Sequence, residues 1–145
     1  MSMLVAQVLK EKGDIVFTIS PNENLADAAA LLHQRQVGSA VVLGPDGAVA
    51  GIVSERDLVR QVALEGAAAL ERPVSAVMTR EVIFGQPDET VDALLARMTD
   101  RRVRHLPVTA DDGRLLGLVS IGDLVKRKIA ETEAEARDLK AYIAA

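Results

Sequence analysis

Two stretches of this chain carry the same polar residues at the same spacing: Gly51-Ile52-Val53-Ser54-Glu55-Arg56-Asp57 and Gly117-Leu118-Val119-Ser120-Ile121-Gly122-Asp123. An apolar run that ends in Ser-x-x-Asp predicts a strand passing into a helix, with serine at the N-cap and aspartate at the third helical position. Two chemistries suit that placement. In one, the side chains only close the helix end: the hydroxyl accepts from an amide of the first turn and the carboxylate answers the positive end of the helix dipole. In the other, the helix start offers unpaired amides to an anion, and the carboxylate accepts from both hydroxyls of a ribose. The two are compatible. The duplication favours the second, because two such helix starts would frame two clefts.

No other residues suggest catalysis. Ser54 and Ser120 lack a positioned base, and neither a Ser-His-Asp constellation nor a paired-carboxylate metal site is visible, so no catalytic residue and no metal ligand is predicted. His33 falls on a polar helix face without an acidic or histidine neighbour at ligand spacing, which reads as a solvated surface position. His105 is either a strand residue satisfied by a backbone carbonyl or, with Arg104 beside it, a group that meets a ligand's phosphate. Arg101 and Arg102 end a helix, where cations suit the dipole. Gly44, Gly47 and Gly51 match neither a dinucleotide fingerprint nor a P-loop and read as turn glycines.

Composition narrows the class further. There is no cysteine, which excludes a disulfide framework, thiol catalysis and a Cys-ligated zinc, and suits a reducing compartment. The 17 basic residues are scattered among 21 acidic ones for a net charge of -4, so no polyanion-binding face is expected and nucleic acid is not an expected partner. The apolar run within Met1 to Lys12 is too short for a signal peptide, and no stretch approaches a membrane span. The expectation is a cytoplasmic protein without a membrane partner.

The positioning elements follow from an internal repeat. At an offset of 66 residues Pro21 falls on Pro87, Val37 on Val103, Val42 on Val108, Asp46-Gly47 on Asp112-Gly113 and Gly51 on Gly117. About a third of the aligned positions match without a gap, which indicates a duplication. Half of 145 residues would bury too little surface alone, so the copies are expected to share a core as a pseudo-twofold pair. In copy one, the β-branched run Ile15 to Ile19 predicts a strand, and Leu25, Ala28, Ala29 and Leu32 recur at helical spacing over Asn24 to Gln36. Ser39 to Leu43 and Val49 to Val53 are apolar runs flanking the hairpin turn Gly44-Pro45-Asp46-Gly47, and a second helix runs from Ser54 to about Leu64. Copy two repeats this order: strand Val82 to Phe84, helix Thr90 to Arg102, strands His105 to Thr109 and Leu115 to Val119 around Asp111-Asp112-Gly113, then a helix from Ser120 to Ile143. A short helical turn is predicted at Val74 to Met78, with Met3 to Leu9 as its counterpart. The expected division is a first module with its N-terminal helical segment over 1–66, a linker and short helix over 67–78, a second module over 79–125, and a C-terminal helix over 126–145.

The repeated Gly-h-x-Ser-x-x-Asp, with Val103-Arg104-His105-Leu106-Pro107-Val108 and the spacing of Pro21 and Pro87, resembles the tandem cystathionine-β-synthase (CBS) domain pair, or Bateman module. The resemblance runs from Val5 to Leu124. It implies an α/β (α+β) fold of two βαββα modules packed as a pseudo-twofold pair, with an extended C-terminal helix. It implies two clefts for adenosine compounds: AMP, ADP or ATP, with S-adenosylmethionine or NAD as further candidates. The aspartate would meet the ribose, the serine the ribose or phosphate, and the strands the adenine, with the aspartate of one repeat completing a cleft lined by the other. Carried over residue by residue, one cleft would combine Ser54, Arg56 and Asp57 with Phe84, Gly85, Arg104, His105, Leu106 and Pro107. The other would combine Ser120 and Asp123 with Thr18, Ile19, Gly38, Ser39 and Ala40. The second lacks counterparts of Arg104-His105, and Gly122 replaces Arg56, which puts phosphate binding there in doubt.

The function implied is a regulatory, non-enzymatic sensor of adenine nucleotides, acting on its own dimer geometry or on a regulated protein that the sequence does not identify. Two alternatives come from other classes: a dimerisation module indifferent to nucleotide, and a small nucleotide-acting enzyme. A homodimer is expected, because the stripe Ile129, Ala136, Leu139 and Ile143 on the last helix needs a partner surface.

Overall fold

The computed structural model describes residues 3–13 and 16–144. Six helices and five strands follow in the order α1 (Val5–Lys12), β1 (Thr18–Ile19), α2 (Leu25–Arg35), β2 (Ser39–Leu43), β3 (Val49–Ser54), α3 (Glu55–Glu65), α4 (Val74–Val77), α5 (Val91–Arg101), β4 (His105–Thr109), β5 (Leu115–Ser120) and α6 (Ile121–Ala144), among the described residues. A short 3-10 helix, Gly66–Glu71, fills the expected linker. The chain divides into two compact units, one of Met1–Asp14, Phe84–Asp111 and Leu116–Ala145, the other of Ile15–Ile83 and Asp112–Leu115.

In the unit built on the first repeat, β1 pairs parallel to β2, and β2 pairs antiparallel to β3 with Val41 opposite Ile52. The parallel pair requires the crossover that α2 supplies, and the antiparallel pair needs only the tight turn at Gly44 to Gly47. Gly47 adopts φ 81 there, and Asp46 Oδ1 accepts from the Ala48 N–H at 3.1 Å. α2 is opened by Asn24, whose side chain accepts from Asp27 N–H, and closed by Gln36 in the left-handed conformation. Its buried stripe of Leu25, Ala28 and Leu32 joins Ile19, Ala40, Val42, Val53, Leu58, Val74 and Met78 in one core. Each fully buried aliphatic side chain of this kind contributes about 1.5–3 kcal/mol relative to exposure.

In the unit built on the second repeat, β4 pairs with β5, while the expected strand Val82 to Phe84 is reduced to a parallel bridge between Gly85 and Val108. Gly85 N–H donates to Pro107 O at 2.9 Å and Gly85 O accepts from Thr109 N–H at 3.0 Å, so one residue carries the contact that a strand would have spread out. The first strand of copy one is also shorter than its apolar run, and Ile15 lies outside the described residues.

The short helices explain two repeated motifs. α1 docks within the second repeat's unit: Val5 N–H donates to Glu89 O and Ala6 N–H to Pro87 O, both at 2.9 Å. α4 makes the equivalent bonds within the first repeat's unit, Val74 N–H to Glu23 O at 2.7 Å and Ser75 N–H to Pro21 O at 3.0 Å. The repeated Pro-x-Glu is thus the acceptor for an incoming helix start, whose first amides have no partner inside their own helix. Each helix belongs with the repeat that does not directly follow it, unlike the contiguous 1–66 division, because Val5, Val8 and Leu9 find their burial beside 87–91.

Gly51 is not a turn glycine. It lies buried in β3, where an added Cβ would meet Thr79 O at 2.6 Å and Met78 Sδ at 2.8 Å, just beyond α4. Gly117, its counterpart in β5, faces the side-chain end of Leu9 of α1, whose Cδ2 would lie 2.5 Å from an added Cβ.

Candidate functional site

Each repeat brings its Ser-x-x-Asp to the junction of a strand and a helix. Ser54 caps α3: Asp57 N–H donates to Ser54 Oγ at 3.3 Å, and Asp57 Oδ2 accepts from Ser54 N–H at 2.9 Å and Ser54 Oγ at 3.0 Å. Ser120 caps α6 in the same way, with Asp123 N–H to Ser120 Oγ at 3.1 Å and Ser120 N–H to Asp123 Oδ2 at 2.9 Å. The structural half of the sequence reading therefore holds in both copies, and these bonds engage only the Oδ2 atoms.

Around Ser54 the first repeat gathers Gly38 and Ser39: Glu55 N–H donates to Gly38 O at 3.0 Å, and Ser39 pairs with Ser54 across β2 and β3. Ser39 is buried, and its Oγ has no hydrogen-bond partner. Ala40 is buried beside it, Thr18 and Ile19 lie on the adjacent β1, and Arg56 is exposed in the first turn of α3. Asp57 is 6% exposed, and its Oδ1 has one distant cation, Arg60 Nη1 at 3.6 Å, itself largely in solvent.

Around Ser120 the second repeat gathers the equivalent strand start. Ile121 N–H donates to Arg104 O at 2.8 Å, so Arg104 and His105 head β4 beside the α6 N-terminus. Arg104 is exposed and His105 half-buried, while Leu106 and Pro107 are buried within β4. Phe84 is 40% exposed, and its carbonyl accepts from Arg97 Nη1 at 2.8 Å, an arginine that also pairs with Glu89. Within each unit, then, the carboxylate lies with the strand start of its own repeat. Among the described residues no group of three or more histidine, aspartate or glutamate side chains could hold a metal ion.

One residue at this site was not legible beforehand. Lys12, the last residue of α1, places its Nζ 2.6 Å from Asp123 Oδ2 and 2.7 Å from Leu118 O. Burial alone pushes the Asp123 carboxyl up, but hydrogen bonds from Lys12 and Ser120, together with the Lys12 charge, outweigh it and hold the carboxyl below its usual range. The partners are 111 positions apart, and no sequence signal marks the contact.

Two repeats of one α+β unit, each ending a strand on a reciprocal serine–aspartate lock, define a tandem module of the CBS type. The CBS domain family matches twice, over residues 13–64 and 74–129. The CBS domain-containing protein CBSX3, mitochondrial, of Arabidopsis thaliana is 35% identical over 98% of this chain and 72% of its own. The crystal structure of the CBS-domain containing protein ATU1752 from Agrobacterium tumefaciens superposes with a TM-score of 0.84 at 44% identity, covering 88% of this chain and 95% of that one. The CBS domain pair of protein MJ0100, solved in complex with 5'-methylthioadenosine and S-adenosyl-L-methionine, shares the fold at a TM-score of 0.80 and 23% identity over 90% of this chain and 99% of its own. The chain belongs to the CBS domain family and carries two copies of the domain.

Proposed function

We propose that this protein is a non-enzymatic regulatory sensor that binds adenosine compounds at its two Ser-x-x-Asp helix starts, with Asp57 and Asp123 as ribose acceptors. The observation that carries the reading is the duplicated lock itself. In each copy Oδ2 is committed to the serine, and in the second to Lys12 as well, while the other carboxylate oxygen is left for an incoming donor, at a helix N-terminus suited to an anion. The buried Ser39 Oγ without a partner adds support, because buried polar atoms ordinarily find one. The complex of the MJ0100 domain pair with two adenosine-derived molecules supports the same ligand class. AMP, ADP and ATP lead the candidates, followed by S-adenosylmethionine and NAD.

We further propose a homodimer built on α6, where Ile129, Leu139, Tyr142 and Ile143 are all more than half exposed on one 24-residue helix. Among the described residues no helix is long and apolar enough to cross a membrane.

The deciding experiment is a thermal-shift and calorimetric screen against AMP, ADP, ATP, S-adenosylmethionine and NAD. A ligand present at 100 times its dissociation constant raises stability by about 2.7 kcal/mol. No thermal response and no heat with any of the five would leave only the nucleotide-indifferent dimerisation module. Turnover of a bound nucleotide would replace the sensor by an enzyme.

A further inference from the structure

The two carboxylates differ in what already holds them. Asp57 Oδ2 accepts from the Ser54 hydroxyl, a neutral donor. Asp123 Oδ2 accepts from the Lys12 ammonium, which is tied a second time by Leu118 O. Lys12 is not a stray surface charge, because α1 is anchored by the buried Val5, Val8 and Leu9 and by the Glu11–Arg127 ion pair at 2.8 Å. Its side chain is nonetheless 37% exposed, so the lysine can be reached from solvent while its backbone stays fixed in α1. Gly122, next to Asp123 in sequence, carries no side chain, and an added Cβ there would make only ordinary contact with Ser120 Oγ at 3.7 Å.

We propose that Lys12 selects the ligand of the Asp123 half-site: its ammonium, bonded at Oδ2, takes up the charge that makes this carboxylate a strong acceptor for a ribose at Oδ1, and only an adenosine compound that brings its own anion draws the ammonium away. The proposal rests on the adenosine reading above. A neutral ribose offers the carboxylate ordinary hydroxyl donors, which compete poorly with a charge-assisted bond from an ammonium. A phosphate offers Lys12 a second anion within the sweep of its side chain, so that carboxylate and lysine both end up partnered. The residue that weakens the carboxylate for a nucleoside would thereby hold a nucleotide, which supplies the cation that this repeat lacks at Gly122.

The test compares AMP with adenosine by calorimetry in an Asp57→Ala background, which removes the other ribose acceptor. Lys12→Gln and Lys12→Arg are then added singly, with circular dichroism and the unfolding midpoint checking that each variant keeps its fold. With Lys12 retained, or with Lys12→Arg, AMP should bind at least about tenfold more tightly than adenosine. With Lys12→Gln, adenosine binding should strengthen and the preference should shrink to about threefold or less. An unchanged AMP-to-adenosine ratio in Lys12→Gln, a loss of adenosine affinity there, or the absence of AMP binding in the Asp57→Ala chain overturns the proposal while leaving AMP binding by the wild-type chain, and with it the adenosine reading, intact. Failure of the wild-type chain to bind any adenosine compound overturns the adenosine reading, and this proposal falls with it.

Discussion

Replacing Asp57 by alanine separates the two roles that its carboxylate is given. As a cap, Asp57 satisfies Ser54 N–H and Ser54 Oγ through one oxygen, while the reverse bond from Asp57 N–H to Ser54 Oγ survives the substitution. The folded state therefore loses two acceptor contacts at a half-buried serine, and removing such a cap costs about 1–2 kcal/mol. For a chain of this size that corresponds to a fall in Tm of about 3–6 °C. As a ribose acceptor, the carboxylate has Oδ1 left to offer, opposed only by Arg60 at 3.6 Å. One or two hydrogen bonds from ribose hydroxyls to a charged oxygen amount to about 1.5–3 kcal/mol, a loss of roughly 10- to 150-fold in nucleotide affinity. Calorimetry well below the variant's Tm reads the second effect free of the first. Asp123→Ala should be milder for AMP, because the charge of this carboxylate is already shared with the Lys12 ammonium at Oδ2. If Asp57→Ala lowers Tm as expected but binds AMP as tightly as the parent, Asp57 is a helix cap alone, and the ribose role assigned to it is wrong.

The repeated strand glycines should respond unequally to alanine. In Gly51→Ala the new methyl meets the Thr79 carbonyl, which is held in place by its bond from Ile52 N–H at 3.0 Å, so a loss of about 2–3 kcal/mol is expected in urea unfolding. In Gly117→Ala the obstacle is the tip of the Leu9 side chain, which can turn aside, and the cost should be nearer to about 1 kcal/mol; equal losses would contradict the distinction. Because the Asp123 carboxyl is held below its unfolded value, it adds stability above about pH 4 that is lost as the pH falls through the lower folded value. Lys12→Gln should reduce that acid-side loss relative to the parent, as read by denaturation midpoints between about pH 6 and about pH 3, and an unchanged profile would contradict the pairing. Sedimentation should show a dimer that Ile129→Lys with Leu139→Lys converts to monomer, whereas a parent already monomeric at micromolar concentration would refute the α6 interface.

Much of the architecture was legible in sequence because it rests on local rules. The 66-residue register, the apolar runs of β2 to β5, the helical stripe of α2 and the Asp-Gly turns each express a constraint on neighbouring residues, and the elements formed within one or two residues of the expected limits. The serine–aspartate lock was equally visible, since its partners lie three residues apart on a single helix turn. Val82 to Phe84 reads as a strand but does not form one, because β propensity describes a residue's fit to a sheet, whereas pairing at that position is confined to Gly85. Gly51 reads as a turn glycine because its actual reason is the approach of Thr79 and Met78, a distance in space with no counterpart in spacing. The destination of α1 and the arrival of Lys12 at Asp123 were decided only by tertiary structure. An eight-residue helix with a buried stripe of Val5, Val8 and Leu9 states that it must be covered, but any apolar face could cover it. The choice is made by the unpartnered amides at its start, which find the carbonyls of Pro87 and Glu89, and that docking carries the lysine at its other end to the carboxylate.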